Sequence, residues 1–380
     1  MNVDLTEDQQ MIKELAAKFA TEQLRPLAAK WDEEEENIPQ EILKKLGSLG
    51  FMGMMVPEDL GGAGLDAISY VIVIEEIAKA DASTAVTVAV NNSLVCGIFL
   101  QFASDEQREK FLPLLAKGER IGSYALTEPE AGTDVSNVQT TAVLDGDHYV
   151  INGTKTFITN GGLAGTVLVF ASTNKELKAK GVSCLVVEKG TPGFSVGSRE
   201  KKMGMRAANV SELIFEDCRV PKGNLIGQEG EGLRIALTAL DSGRISIAAQ
   251  AVGIAQAAFQ EALEYSKQRQ QFGRPICQFQ AIQFMLADMA TRIEAARLLT
   301  YRAAHLKDQG VRFSSEASMA KLFASEAATW VCTKAVQIHG GYGYMKDYAV
   351  ERYFRDARLT EIYEGTSEAQ RMVIARGLLR

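Results

Sequence analysis

The spacing of apolar residues changes twice along this 380-residue chain, so three sections with different local structure must be joined in one fold. From Thr6 to about Lys117 the pattern is helical. Thr6 with Gln9 forms a capping box ahead of Met11, Ile12, Leu15, Ala16 and Phe19, and Ser104 with Gln107 forms another ahead of Phe111, Leu112, Leu114 and Leu115. Pro39 is expected at a first helical position, and Ala67–Ala80 and Ser83–Phe102 are apolar enough to be core helices. The Gly61-Gly62-Ala63-Gly64 break follows no strand and lacks the G-x-G-x-x-G spacing, so it is no dinucleotide fingerprint. From Ile121 to about Gly227, β-rich runs alternate with tight turns such as Asp145-Gly146-Asp147 and Asn152-Gly153. This predicts a small antiparallel barrel or sandwich. After Gly230, long helices are expected over Leu233–Gln268, Phe279–Lys307 and Ser314–Ile338, with a last one starting near Thr366 or Ser367. Together they predict an antiparallel four-helix bundle. The expected fold is thus α+β and mainly α: an N-terminal helical domain (1–120), a middle β domain (121–230) and a C-terminal bundle (231–380).

Composition narrows the class of function. With 41 basic and 48 acidic residues the net charge is −7, which argues against nucleic acid or an anionic membrane as the main partner. No uninterrupted run of eighteen apolar residues is present, so no bilayer span is expected. The acidic start Met1–Asp8 lacks the basic and apolar parts of a signal peptide, which predicts a cytoplasmic protein. Five scattered cysteines and three histidines show no metal-ligand or redox spacing, so no metal centre is expected.

Three segments combine residues in unusual ways. Tyr124–Asp134 packs hydroxyls, a proline and a glycine where the chain turns, a setting in which backbone N–H groups can face a polar planar ligand. A capped loop opening a strand would have the same composition. Gln337-Ile338-His339-Gly340-Gly341-Tyr342-Gly343 ends a helix with three glycines in four positions, which permits close approach of a ligand, although a helix C-terminus explains one of them. In Thr360–Glu368, Glu364 lies between apolar Ile362-Tyr363 and Gly365. Desolvation there would raise its pKa toward that of a general base, whereas a solvated carboxylate beside an N-cap is the plainer alternative.

In this order the three segments resemble the acyl-CoA dehydrogenase family of flavoproteins, over nearly the whole chain from Leu5 to Arg376. The runs Ala125–Asp134 and Gln337–Arg352 match family signatures. Leu240-Asp241-Ser242-Gly243-Arg244-Ile245 and Ile362–Thr366 look most like bacterial short-chain (butyryl-CoA) enzymes. The resemblance implies FAD bound between the β domain and the bundle, and oxidation of a short-chain acyl-CoA to the trans-2-enoyl-CoA. Tyr124, Ala125, Leu126, Thr127 and Thr133 look like flavin contacts, with Thr127 near the pyrimidine edge. Phe157-Ile158-Thr159 resembles a second contact, with Thr159 near N5 and Phe157 where many relatives carry tryptophan. Arg269, Phe272, Phe279 and Gln280, with Gln337, Ile338, His339, Gly340 and Gly341, are similar to residues that reach the FAD of a neighbouring subunit. That implies a homotetramer, a dimer of dimers. Thr366, Ser367 and Glu368 resemble the final FAD-contacting stretch.

Asp241 and Arg244 look like the pair holding the CoA portion, and Thr133 and Gly365 complete the implied substrate contacts. Glu364 takes the role of catalytic base. Some relatives carry the base at the position of Gly243, where glycine has no acid–base group. The resemblance further implies that the Glu364 N–H and a ribityl hydroxyl hydrogen-bond the thioester carbonyl, that hydride passes to N5, and that electrons go to an electron-transferring flavoprotein. The same residues serve an enoyl-CoA reductase in an electron-bifurcating complex, and a non-catalytic FAD- or CoA-binding relative is the alternative from another class. An acyl-CoA oxidase is not expected, since 380 residues leave no room for the extra C-terminal domain common there. The pocket floor is expected from the helices over Val73–Phe102 and the region near Asp241, with branched and aromatic acyl groups left open.

Overall fold

The computed structural model describes residues 5–379; the first four residues of the acidic N-terminal run lie outside the described residues. Helix α1 (Glu7–Phe19) begins with the expected capping box: Gln9 N–H donates to Thr6 Oγ1 (3.2 Å) and Thr6 N–H to Gln9 Oε1 (3.1 Å). Helices α2 (Arg25–Glu33) and α3 (Gln40–Ser48) follow. Pro39 is the N-cap of α3 and not its first helical residue; its ψ of 141° is extended. Asp66 caps α4 (Ala67–Ala80), and Asp81 caps α5 (Ala82–Ala89). A wide π-helical stretch (Val90–Cys96) joins α5 to α6 (Gly97–Phe102), and α7 (Asp105–Ala116) carries the second capping box.

The rod Ala82–Phe102 is long and apolar enough to cross a membrane by length and composition, with mean hydropathy 1.6, yet 83% of that window is buried inside the fold. Its widened turn has a structural use. Asn92 Oδ1 accepts from Met54 N–H (2.8 Å) and Asn91 Oδ1 from Gly122 N–H (2.8 Å), tying the rod to the preceding loop and to the first strand.

The middle section forms one eight-stranded sheet: β1 (Gly122–Ala125), β2 (Thr141–Asp145), β3 (His148–Thr159), β4 (Thr166–Ser172), β5 (Val182–Glu188), β6 (Phe194–Arg199), β7 (Val210–Pro221) and β8 (Leu225–Ile226). The order is β6-β7-β3-β2-β4-β5-β8, with β1 also on β4. The Asp145-Gly146-Asp147 turn gives the antiparallel hairpin β2–β3, whereas Asn152-Gly153 is not a turn: it lies inside β3, where the register against β7 shifts and Gly153 adopts φ 147°. Strands β4 and β5 are also antiparallel. The pairings β1–β4 and β2–β4 are parallel, because long connections and not tight turns join those strands. Val167, Val169, Leu185, Val187, Tyr149 and Phe215 fill one face. Strand β4 is buried along its whole length because α8 (Gly232–Gln268) covers the other face.

Beyond α8, a hairpin of β9 (Gln270–Gln271) and β10 (Arg274–Pro275) leads to α9 (Gln280–Asp308), α10 (Ser314–His339), α11 (Val350–Thr360) and α12 (Ser367–Leu378). Helix α11 is additional to the four helices expected. Its charge-rich sequence hides a narrow apolar stripe of Val350, Tyr353 and Ala357, and its charges are paired internally: Arg355 reaches Asp32 (2.6 Å) and Glu351 (2.7 Å). Helices α8, α9 and α10 pack together, and α4 packs on α8, so the two helical sections share one core.

Candidate active site

The turn between α11 and α12 holds Glu364 at φ 51° and Gly365 at φ 97°. A left-handed glutamate costs on the order of 1–3 kcal/mol and persists only where neighbours over-determine it. Here they do. Ser367 N–H donates to Glu361 O (3.0 Å), and Lys321 Nζ (2.7 Å) and Gln370 Nε2 (2.8 Å) both donate to Gly365 O. Thr366 Oγ1 caps α12 by accepting from Ala369 N–H (3.3 Å).

This backbone lays the Glu364 side chain onto α8 at Gly243. A Cβ at Gly243 would lie 2.0 Å from Glu364 Oε2 and 3.0 Å from Leu94 Cδ2, so the missing side chain is what makes room for the carboxylate. Both carboxylate oxygens are buried, with no hydrogen-bond partner among the described residues. Burial pushes the Glu364 pKa up to about 7, while the charges of Lys321 and Arg244 pull it down.

Arg244 is buried on α8; its Nη1 donates to Asp241 Oδ1 (2.6 Å) and Ser318 Oγ (3.4 Å), and Ser314 Oγ donates to Asp241 Oδ2. Tyr124 O–H donates to Ala236 O (3.3 Å) with its ring against Phe170. Tyr363 O–H donates to Gln250 Oε1, and Gln250 Nε2 donates to Ala82 O (2.7 Å). Among the described residues, five of the nine unpartnered buried side-chain atoms lie here: both Glu364 oxygens, Ser367 Oγ, Gln370 Oε1 and Arg244 Nε; the other four, on Thr140, Asn160, Thr166 and Ser172, are spread through the β section. Such atoms are rare in folded proteins, and their concentration marks a place built for a polar ligand.

The predicted run at the end of β1 forms a second group. Ala125 and Leu126 bury their side chains, as does Ile158, so only their backbone can face a ligand. Thr127 is half-buried, and its carbonyl accepts from Thr156 N–H (3.0 Å). Thr133 is exposed. A register shift between Lys155 and Ile158 in β3 lifts Phe157 out at φ 57°, leaving it 64% exposed beside half-buried Thr159. The run is anchored by a buried ion pair: Lys155 Nζ donates to Glu128 Oε1 (2.7 Å) and Leu126 O (3.0 Å), and Glu128 also accepts from Gln139 N–H (2.6 Å) and Thr140 N–H (3.0 Å).

A third group lines an open groove of ≈ 540 Å³ between the end of α8, the hairpin and the end of α10. Arg269, Ile338, His339, Gly340 and Gly341 meet there with Tyr265. His339 stacks on Tyr265 (4.2 Å), and its Nδ1 lies 2.8 Å from Ala335 O. Burial lowers the His339 pKa. Nothing lies within 4 Å of a Cβ placed at Gly340 or Gly341. Gln337 is exposed outside the groove. Phe272 is 93% exposed at φ 52° and meets Phe279 edge-on, and exposed Gln280 opens α9; none of the three lines the groove or bonds to the Glu364 turn. Ser367 is buried, Thr366 half-buried and Glu368 exposed.

Sequence reasoning passed over Lys321, Gln370, Gln250 and the Glu128–Lys155 pair. Lys321 had a signal: its neighbours one turn away, Ala317, Ser318, Ala324 and Ser325, are all small, which places a lysine on a core face. All five cysteines are free, and among the described residues no group of His, Cys, Asp and Glu is arranged to hold a metal ion.

Family models for the acyl-CoA dehydrogenase N-terminal, middle and C-terminal domains match residues 6–119, 123–218 and 230–379. The chain is 50% identical to the short-chain specific acyl-CoA dehydrogenase of Clostridium acetobutylicum over 380 residues, 100% of both chains. It is 47% identical to the acryloyl-CoA reductase (NADH) of Anaerotignum propionicum, over 100% of this chain and 96% of that protein. Among solved structures, butyryl-CoA dehydrogenase from Megasphaera elsdenii superposes with TM-score 0.98 at 47% identity, covering 100% of both chains. A chain from work on the electron-transferring flavoprotein of Acidaminococcus fermentans and flavin-based electron bifurcation superposes with TM-score 0.99 at 52% identity, again covering 100% of both.

Proposed function

Because the chain belongs to the acyl-CoA dehydrogenase family, a family of flavoprotein oxidoreductases, we propose that it binds FAD and converts a short-chain acyl-CoA to the trans-2-enoyl-CoA with Glu364 as the base. The observation that carries this reading is the Glu364 carboxylate, buried, free of hydrogen bonds and seated in the space that Gly243 leaves.

The residues suit the cofactor. The open groove at Arg269 and Gly340-Gly341 accepts a large polar group, and the buried Ser367 Oγ has no hydrogen-bond partner among the described residues. FAD, when bound, supplies the acceptor for the hydride. The remaining work belongs to the chain. Glu364 takes the α-proton, which requires the ionised carboxylate; a pKa near 7 gives it both ionisation and basicity at neutral pH. The rigid turn holds the Glu364 N–H for the thioester carbonyl, whose acidifying effect on the α-carbon needs a hydrogen bond. Arg244, with one nitrogen unpartnered, and Asp241 are assigned to the CoA portion, with Gly365 and Thr133 along the substrate. The aromatic and apolar walls from Tyr124, Tyr363 and Leu94 keep water from the carboxylate.

The proposal includes a homotetramer, a dimer of dimers, in which Phe272, Phe279, Gln280 and the His339–Gly341 groove serve a neighbouring subunit's FAD; the nearly full exposure of Phe272 favours a partner there. It also includes an electron-transferring flavoprotein as redox partner and a cytoplasmic location. The relative that acts as an acryloyl-CoA reductase favours one second reading, enoyl-CoA reduction by the same residues. Anaerobic titration with butyryl-CoA, following the flavin absorbance band, tests the main reading. Rapid bleaching by the parent and retained binding without bleaching by Glu364→Gln are expected; a variant that bleaches at the parental rate removes Glu364 as the base.

A further inference from the structure

Lys321 lies in the N-terminal third of α10 with no exposed surface, packed among small side chains. Its one hydrogen-bond acceptor among the described residues is Gly365 O, at 2.7 Å, and no carboxylate stands at ion-pair distance from it. An ammonium is expensive to remove from water, and a methionine would fill the same space without that penalty. Nor does the hydrogen bond alone account for it. Gln370 Nε2 donates to the same carbonyl at 2.8 Å, so a neutral donor already satisfies Gly365 O. What Lys321 alone adds is a positive charge beneath the turn that carries Glu364.

We infer that Lys321 is a positioning residue for the reaction: it pins the Glu364–Gly365 turn and supplies the buried charge that keeps the Glu364 carboxylate ionisable beside its substrate. The inference rests on the assignment of Glu364 as the base. Its surroundings are consistent with this. From α8, Arg244 also faces Glu364, but Arg244 is engaged with Asp241 at 2.6 Å. From α4 comes Tyr70, from β1 Tyr124 and from the turn itself Tyr363; burial raises the pKa of all three phenols, so they carry no charge at neutral pH. Glu361 and Glu368 flank the turn, and their charges favour the charged form of Lys321. Lys321 is therefore the cation near Glu364 whose charge no carboxylate pairs directly. Burial lowers its own pKa to about 8, so it is charged over the range in which Glu364 ionises.

The test uses the holoenzyme and the variants Lys321→Met, Lys321→Gln and Glu364→Gln, with flavin reduction by saturating butyryl-CoA followed in a rapid-mixing instrument across pH. Removing a nearby cation disfavours the carboxylate, so in Lys321→Met the acid limb of the reduction rate moves up by about one pH unit. The rate on that limb falls about tenfold, with the half-saturating substrate concentration little changed. Lys321→Gln keeps a donor for Gly365 O and loses the charge; it shows the same displaced limb, and it carries the test if the methionine variant does not fold. An unmoved acid limb in the folded variants, with Glu364→Gln inactive, overturns the role of Lys321 and leaves the base standing. Parental reduction by Glu364→Gln overturns both.

Discussion

Replacing Gly243 by alanine separates the demands of the fold from those of the chemistry. Within α8 an alanine is a better helix former than glycine by about 1 kcal/mol, and overpacking costs about 1–3 kcal/mol, so the net loss of stability is at most about 2 kcal/mol. The effect at the site is larger. The new Cβ would stand 2.0 Å from Glu364 Oε2, whereas ordinary contact begins at 3.4 Å, so the carboxylate must retreat by about 1.4 Å. It is the end of a flexible side chain and can do so without unfolding the helix. A misplacement of about 1 Å in a reacting group lowers the rate roughly 100-fold, or about 2.7 kcal/mol of barrier. Purified Gly243→Ala is expected to keep its flavin and unfold within a few degrees of the parent. Its first-order flavin reduction by saturating butyryl-CoA should drop by about two orders of magnitude. Parental reduction kinetics in a normally folded variant would refute the claim that the carboxylate works from the space above Gly243.

Lys155→Met leaves Glu128 buried without its cation and is expected to cost about 3–5 kcal/mol in denaturant unfolding, with the double change Lys155→Met/Glu128→Leu recovering much of it. An unchanged midpoint in the single variant would mean the pair contributes nothing. Ser104→Ala removes one half of the α7 capping box and should lower stability by about 1 kcal/mol, read from the same experiment. Arg269→Ala should lower the flavin retained per protomer after gel filtration; full retention would remove the groove from the cofactor site. Glu364→Gln should become more stable than the parent as pH rises. The folded pKa is raised from 4.5 to about 7, so the stability tied to the bound proton is full below pH 4.5 and lost through pH 7. By pH 8 the ionised parent is handicapped by up to about 3 kcal/mol that glutamine does not bear, and near pH 4 the two should agree.

The three-part order was legible because each section advertises its period, and the helix starts at Thr6 and Ser104 were legible because capping is a local interaction between residues three apart. Helix α11 was not, since its apolar stripe is three residues wide and its charges find partners on α2 and within the helix only after folding. The parallel pairing of β1 with β4 was equally hidden, because no turn links those strands. At the site, the resemblance selected Glu364 and Gly243 separately. That Glu364 Oε2 fills the space at Gly243 is a contact between residues 121 positions apart, set by how α8 and the α11–α12 turn pack. Thr133 and Gln337, chosen by the same motifs, sit in exposed positions, because a motif specifies a neighbourhood and not which of its side chains turns inward.

Lys155 and Lys321 are two solutions to one problem. Both are fully buried, and each donates to a backbone carbonyl in a loop that bears site residues: Lys155 to Leu126 O ahead of Thr127, and Lys321 to Gly365 O behind Glu364. Loops have no ladder of hydrogen bonds to hold them, yet a reacting group must keep its place to within a fraction of an ångström. A buried ammonium supplies a strong fixed donor at the end of a side chain long enough to reach from a rigid strand or helix into the loop. The two differ in what balances the charge. Lys155 has Glu128 at 2.7 Å, so its field is largely neutralised and its role is structural. Among the described residues Lys321 has no such partner, and its field extends to the carboxylate that must ionise. If this division is right, replacing Lys155 should act mainly on unfolding, and replacing Lys321 mainly on the pH at which the flavin is reduced.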